Sequence, residues 1–260
     1  MLLSLHRRIP SSIRWGRIFI QTVRHNSSLT SSQIQNIQQF LEYAAKNGLD
    51  SKSTVFNGTI YELYVKQFLE KGFHCTEMIK VGGKGDEGVD LIGKWDLSYF
   101  HKKSIELFPG SKPGDESILN RVTPTNESNS DLSDINVLVQ CKNSKSKLKP
   151  NLIKELTGIF YFHRHDPKNT FMFIVSPHLL TTAALRSFEA TDCPMIHIQV
   201  SSLYNHTDDV YDLTKYHGGI FSGLYLNTSA RKLLSGIRIQ DLLGDKMFHG
   251  KDKLRASLLS

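Results

Sequence analysis

Two short stretches carry the side chains that could do chemistry. One is Gly82-Gly83-Lys84-Gly85-Asp86-Glu87-Gly88-Val89-Asp90-Leu91; the other, about fifty residues on, is Val137-Leu138-Val139-Gln140-Cys141-Lys142. Successive side chains of a strand point to opposite faces, so Gln140 and Lys142 share a face and Cys141 takes the other. A neighbouring strand entered through Asp90 brings a carboxylate, an amide oxygen and an ammonium to one sheet edge. Hard oxygen donors suit Mg²⁺, which keeps several waters and binds through one or two protein groups plus a substrate phosphate. Such a cation lowers the pKa of a bound water and offsets charge on phosphorus, and a lysine beside that water can orient it, deprotonate it or hold the phosphate. Four glycines in ten residues permit positive φ and a close approach of backbone to phosphate. Each stretch also has a plainer reading: a tight hairpin for the first, the solvent face of a strand for the second.

Residues 58–73 read as an amphipathic helix in which Ile60, Leu63, Tyr64, Phe68 and Leu69 form a stripe, Glu62 lies beside it and Gly72 ends it. Leu91 to Trp95 can form a strand, whereas residues 101–134 have little apolar periodicity and many Pro, Ser, Asn and Gly residues, and read as an inserted surface loop. Such an insertion costs little if it stays outside the core. After the Gln-x-Lys strand, Pro150 starts or precedes a helix with Leu152, Ile153, Leu156, Ile159 and Phe160 on one face. Phe171 to Val175 is a short buried-type strand. Thr181 or Thr182 caps a helix to Ala190, and Met195 to Val200 forms another strand. Strand, helix, strand with short links implies a parallel crossover. The expected order is α-β-β-β-α-β-α-β, a mixed sheet flanked by helices with the insertion between the second and third strands.

Helix, Gly-rich turn with Asp, strand with Gln-x-Lys and a following helix at residues 153–158 form a succession that resembles the Mrr-type branch of the PD-(D/E)XK restriction-endonuclease-like superfamily. The residues carrying the resemblance are Glu62, the run from Gly85 to Asp90, and Gln140 and Lys142. The resemblance implies an α/β restriction-endonuclease-like core and a site in which Asp90, Gln140 and the Cys141 carbonyl hold Mg²⁺ or Mn²⁺. Lys142 would serve the attacking water and Glu62 would support the metal or the water. The expected partner is nucleic acid, DNA ahead of RNA, although no base-reading aromatic or recognition helix is identifiable to choose between them. A homodimer suits cleavage of both strands of a duplex.

Residues 1–41 contain Arg7, Arg8, Arg14, Arg17 and Arg24, several serines and no acid before Glu42, with apolar faces between the arginines. That is the composition of a mitochondrial transit peptide, here residues 1–28; a basic arm for nucleic acid is the alternative. The chain is formally +7, but residues 1–25 hold five arginines and no acids, and without them 27 basic residues face 25 acidic ones, or +2. The remaining basicity is local. Lys142, Lys145, Lys147, Lys149 and Lys154 fall within thirteen residues, where they could track a phosphate backbone or merely solvate a loop. No apolar run approaches the ~20 residues of a spanning helix. Cys75, Cys141 and Cys193 are widely spaced and imply neither a disulfide framework nor a zinc site.

The acid-free start, the Gly-Asp-Glu-Gly-Val-Asp loop, the long insertion and the ending around residues 224–234 are together similar to the fungal mitochondrial family called required for respiratory growth protein 7. That similarity implies a protein of the mitochondrial matrix needed for respiratory growth. The expected organisation is a transit peptide at 1–28, a restriction-endonuclease-like domain at 29–204 with the loop 101–134, and a C-terminal extension at 205–260 packed on or following the domain. Two functions fit: a metal-dependent nuclease, or a nuclease-fold nucleic-acid-binding or assembly factor in mitochondrial gene expression without catalysis.

Overall fold

The computed structural model describes residues 33–81, 88–121 and 132–249. The transit-peptide reading (1–28) and most of the Gly-rich stretch (82–87) lie outside these residues.

Two helices open the described chain. Helix α1 (Ile37–Asn47) is capped by Asn36, whose side chain accepts from the Gln39 N–H, and it buries Ile37, Phe40, Leu41 and Ala44. Helix α2 (Thr54–Phe73) starts at Ser53, whose side chain accepts from the Phe56 N–H. It buries Phe56, Ile60, Leu63, Tyr64 and Phe68, and also Tyr61, Val65 and Leu69, so it is buried on more than one stripe. Gly72 does not stop it: the helix runs to Phe73, and His74 provides the left-handed cap at φ 58. The His74 ring stacks on Tyr99 with centroids 4.1 Å apart, a tertiary contact that helps hold the cap in place.

A six-stranded sheet follows, in the order β1-β2-β3-β4-β5-β8, from β1 (Cys75–Lys80), β2 (Leu91–Trp95), β3 (Ile135–Cys141), β4 (Thr170–Ser176), β5 (Met195–Val200) and β8 (Phe221–Leu226). β1, β2 and β3 pair antiparallel, β3, β4 and β5 pair parallel, and β5 pairs antiparallel with β8. The parallel pairs are joined through α4 (Pro150–Phe162) and α5 (Thr182–Ala190), with Pro150 in the first turn of α4 and Thr181 capping α5, as the sequence implies. Val137, Val139 and Cys141 of β3 face the larger core, which contains α1 and α2; Leu138 faces the smaller one with α4 and α5. The order α2-β1-β2-β3-α4-β4-α5-β5 agrees with the expected succession, within a mixed α/β architecture.

Two boundaries are corrected. Residues 101–134 are not a bare surface loop: α3 (Ser98–Leu107) runs into them, Phe100 and Ser104 are buried, and a 3-10 turn follows at Ile118–Arg121. Only two of the ten α3 residues are buried, too few for a visible apolar period. Nor does the domain end at residue 204. β8 completes the sheet, and the buried Asn227 accepts from the N–H groups of Met195 (3.0 Å) and Ala230 (2.9 Å) while donating to the Cys193 carbonyl (2.8 Å). Asn227 caps α6 (Thr228–Leu233), and α7 (Ile239–His249) follows. The inserted segment and this ending hold one another: Ser117 donates to the Ser235 carbonyl at 2.5 Å, and the Arg238 guanidinium lies 4.6 Å over the Phe108 ring.

Candidate functional site

Asp90 sits one residue before β2, fixed on both sides. Its N–H donates to the Val139 carbonyl and its own carbonyl accepts from the Val81 N–H, each at 2.9 Å. Since Leu91 is paired with Val139, Asp90 comes opposite Gln140, across the strand pair and on the same face. The carboxylate is buried, and its Oδ2 accepts from the Cys141 backbone N–H at 2.6 Å and from the Gln140 Nε2. A carboxylate taken out of water needs such donors. The Gln140 nitrogen also lies 3.4 Å from the Cys141 carbonyl.

Lys142 lies one residue past β3, half-buried, with its N–H on the Val175 carbonyl at 2.8 Å. That bond continues the β3–β4 ladder and keeps Lys142 in alternation with Gln140. Glu62 reaches in from α2 and pairs with Lys80 at the end of β1, Nζ to Oε2 3.0 Å. The buried Cys141 thiol reports how close these charges are. Burial pushes its pKa well up, the carboxylates of Asp90 and then Glu62 add to the rise, and Lys80 and Lys142 oppose it. Tyr61, beside Glu62, is likewise pushed up by burial, then by Cys141 and Tyr64, and donates to the Val200 carbonyl at 2.8 Å.

The fold therefore gathers Glu62, Asp90, Gln140 and Lys142 around the end of β3. Lys145, Lys147 and Lys149 are exposed on the segment from β3 to α4, and Lys154 is exposed on α4. Sequence reasoning missed Lys80 and Asn143. Lys80 is paired with Leu91, next to Asp90, so its membership follows from strand pairing alone. Asn143 ties the site to two distant segments: its side chain donates to the Asn57 carbonyl at 3.2 Å and accepts from the Ser202 hydroxyl at 2.7 Å. Gly88 has φ +80, and a Cβ there would lie 2.6 Å from the Ile159 side chain; this glycine serves close packing against α4.

Other features stand apart. Among the described residues no group of three His, Cys, Asp or Glu could hold a metal ion. A cavity of about 610 Å³ between the inserted segment and the C-terminal part, lined by Ile105, Phe108, Leu119 and Gly236, shares no residue with the site. Ser176 and His197 form a second buried polar pair, Oγ to Nε2 2.9 Å. Among the described residues no helix is long and apolar enough to cross a membrane.

Fold and site together define a mixed α/β protein in which the buried Asp90 lies near the half-buried Glu62, Lys80 and Lys142 where β2 and β3 meet. The family model described as Required for respiratory growth protein 7 matches residues 53–234, from the cap of α2 to the end of α6, and the chain belongs to that family. Relatives named "Required for respiratory growth protein 7, mitochondrial" include one from Vanderwaltozyma polyspora, 32% identical over 203 residues, 74% of this chain and 80% of the relative. One from Saccharomyces cerevisiae is 30% identical over 226 residues, 81% of this chain and 90% of the relative. One from Candida glabrata is 27% identical over 230 residues, 82% and 90% of the two chains. The chain, like these relatives, is mitochondrial. No solved structure matches it.

Proposed function

We propose that this chain is a metal-dependent nuclease of restriction-endonuclease-like fold, acting on nucleic acid in the mitochondrial matrix. The observation that carries the reading is the convergence of Asp90 with Gln140 and Lys142, about fifty residues further along the chain, at one strand junction with Glu62 nearby. The antiparallel β1-β2-β3 and the parallel step through α4 to β4 support the fold part of it.

The donor set fits a cation of the magnesium type, which needs few protein ligands and keeps its waters. Asp90, the Cys141 carbonyl and, with its amide turned over, the Gln140 oxygen would hold it. The metal would supply an activated water and charge neutralisation at phosphorus. The chain's own groups do the rest. The Cys141 N–H holds and aims the Asp90 carboxylate. Lys142 offers an ammonium for the attacking water or a phosphate oxygen. Glu62, steadied by Lys80, offers a second carboxylate. The test is cleavage of matched DNA and RNA substrates by the purified mature protein with and without Mg²⁺ or Mn²⁺. Cleavage that needs the metal and disappears in Asp90→Ala and Lys142→Ala supports the reading; activity surviving both changes, or no cleavage of either polymer, overturns it.

A specific observation favours a second reading. Lys80 and Lys142 balance Glu62 and Asp90, and Gln140 gives its nitrogen to Asp90, so the cluster carries no surplus negative charge for a divalent cation. On that ground the chain is a nucleic-acid-binding or assembly factor in mitochondrial gene expression that keeps the fold without the reaction. Full respiratory growth of a null strain carrying Asp90→Ala or Lys142→Ala protein at normal abundance supports it; loss of growth with normal abundance counts against it.

A further inference from the structure

Three exposed rings gather on a two-stranded ribbon beside the site. The ribbon pairs β6 (Leu203–Tyr204) with β7 (His217–Gly218). Tyr204 is 48% exposed, and its ring centroid lies 4.9 Å from that of His206 and 5.8 Å from that of His217, with interplanar angles of 43° and 33°. An exposed tyrosine flanked by two exposed histidines has aromatic surface that water solvates poorly, so a flat partner gains by covering it.

The ribbon is braced rather than loose. Gly219, with φ +66, lies so close to Tyr64 of α2 that a Cβ would come 2.3 Å from the phenol oxygen, and the Tyr64 hydroxyl donates to the Gly219 carbonyl at 2.7 Å. Tyr216 donates to the Val210 carbonyl at 2.8 Å, Tyr211 donates to the Leu49 carbonyl at 3.0 Å, and Asn205 accepts from the Thr207 N–H at 2.8 Å. The backbone around the rings is therefore held before any ligand arrives, which lowers the ordering cost of binding.

The ribbon is also tied to the candidate site. Ser202 donates to Asn143, the residue after Lys142, at 2.7 Å, and Tyr204 is two residues from Ser202, at most about 7 Å of chain. Exposed Lys145 and Lys147 follow Asn143 directly. Lysines that follow a phosphate backbone, next to aromatic rings that take bases, are the two components of single-strand binding. Asp208 and Asp209 are also exposed on the ribbon loop, so the cations that complement phosphate come from the β3–α4 segment and the ribbon contributes ring surface.

We infer that Tyr204, with His206 and His217, stacks an unpaired base of a nucleic-acid strand whose phosphates run along Lys142, Lys145 and Lys147, so that the substrate class is single-stranded or locally unpaired nucleic acid. The inference rests on the nucleic-acid reading of the neighbouring site and adds the state of the strand. A duplex hides its base faces in its own stack and cannot use the platform.

Binding of labelled oligonucleotides in EDTA, followed by fluorescence anisotropy, tests this without cleavage. The full mature chain is offered a DNA strand, the RNA strand of the same sequence, a blunt DNA duplex and a DNA strand with abasic positions. Expected are a preference for the intact single strands over duplex and abasic strand, and a loss of about 5- to 150-fold on at least one intact strand in Tyr204→Ala. Tyr204→Trp should restore that binding, and duplex binding should stay unchanged. Loss on the DNA or the RNA strand supports the inference and names the polymer. Equal binding by Tyr204→Ala and the parent chain, equal loss on duplex and single strand, or failure of Tyr204→Trp to rescue with an unchanged melting temperature overturns it. If metal-dependent cleavage requires Asp90 and Lys142 while Tyr204→Ala is silent, the platform falls and the nuclease reading stands. If Tyr204→Ala weakens single-strand binding in a chain that never cleaves, the nuclease reading falls and the platform stands.

Discussion

Asp90 with Gln140 on β2–β3, and Ser176 with His197 on β4–β5, are two buried polar pairs on one sheet, and their surroundings make them different chemically. Asp90 meets a backbone N–H and an amide, and Glu62, Lys80 and Lys142 lie within electrostatic reach of the Cys141 next to it. Ser176 and His197 are both fully buried, and burial pulls the His197 pKa down to about 4 against the opposing hydrogen bond of the His178 backbone. Ser176 Oγ donates to the His178 carbonyl at 2.6 Å and lies 2.9 Å from the His197 Nε2. In that arrangement the serine proton points at the carbonyl rather than the imidazole, whose Nδ1 has no hydrogen-bond partner among the described residues. A serine beside a histidine is a dyad only when the proton can move between them. Composition alone does not separate two buried polar pairs of this kind; proton direction and access to charge do.

The sharpest way to break the comparison is kinetic. If the proposed nuclease reading holds, Asp90→Asn or Lys142→Ala lowers metal-dependent cleavage by about 10²- to 10⁴-fold, and Ser176→Ala leaves it unchanged. Equal loss in both pairs, measured as kcat/KM on one substrate, would make the distinction meaningless.

The next effect is one of stability against pH. His197 is neutral in the fold with a pKa of about 4 and ionises near 6.5 when unfolded. The unfolded chain therefore binds the extra proton between those values. Stability is undiminished above pH 6.5 and falls on acidification, by about 3 kcal/mol by pH 4. Urea unfolding from pH 7.5 to pH 4 should show this acid limb, and His197→Gln should flatten it.

Gln140→Glu gives a smaller change with a diagnostic sign. It sets a second carboxylate against Asp90, so the apo protein should lose about 1–3 kcal/mol at neutral pH, and millimolar Mg²⁺ should restore part of it. Thermal melts with and without the cation measure both. The smallest effect belongs to the exposed lysines: in the proposed nucleic-acid binding, Lys145→Ala or Lys147→Ala should each reduce the slope of log K against log salt by about 0.7–0.9, and Lys102→Ala, an exposed lysine of α3, should not.

Much of the scaffold was legible because its signals are local. The apolar run of β4, the alternation leading into Gln140 and Lys142, Pro150 at the start of α4 and Thr181 at the cap of α5 all depend on neighbours within a few residues. α1 was not read, although Ile37, Phe40, Leu41 and Ala44 have helical spacing, because it follows the acid-free leader-like stretch. α3 hides behind two buried residues, and Gly72 failed as a stop because the left-handed turn falls on His74, supported by Tyr99.

The sequence by itself determined the order of the elements and the residue types able to do chemistry: an aspartate at a strand entrance, Gln-x-Lys at a strand end and a glutamate on the helix before them. Alternation and helical spacing are short-range geometry, and any chain with that pattern is bound by them. The tertiary structure alone decided that Lys80 neutralises Glu62, that Gln140 turns its nitrogen to Asp90, that β8 joins the sheet and that Ser202, two residues before Tyr204, is tied to Asn143 beside Lys142. These depend on strand register and on contacts between residues about 18 to 59 positions apart, set by the packing of whole elements rather than by any local preference.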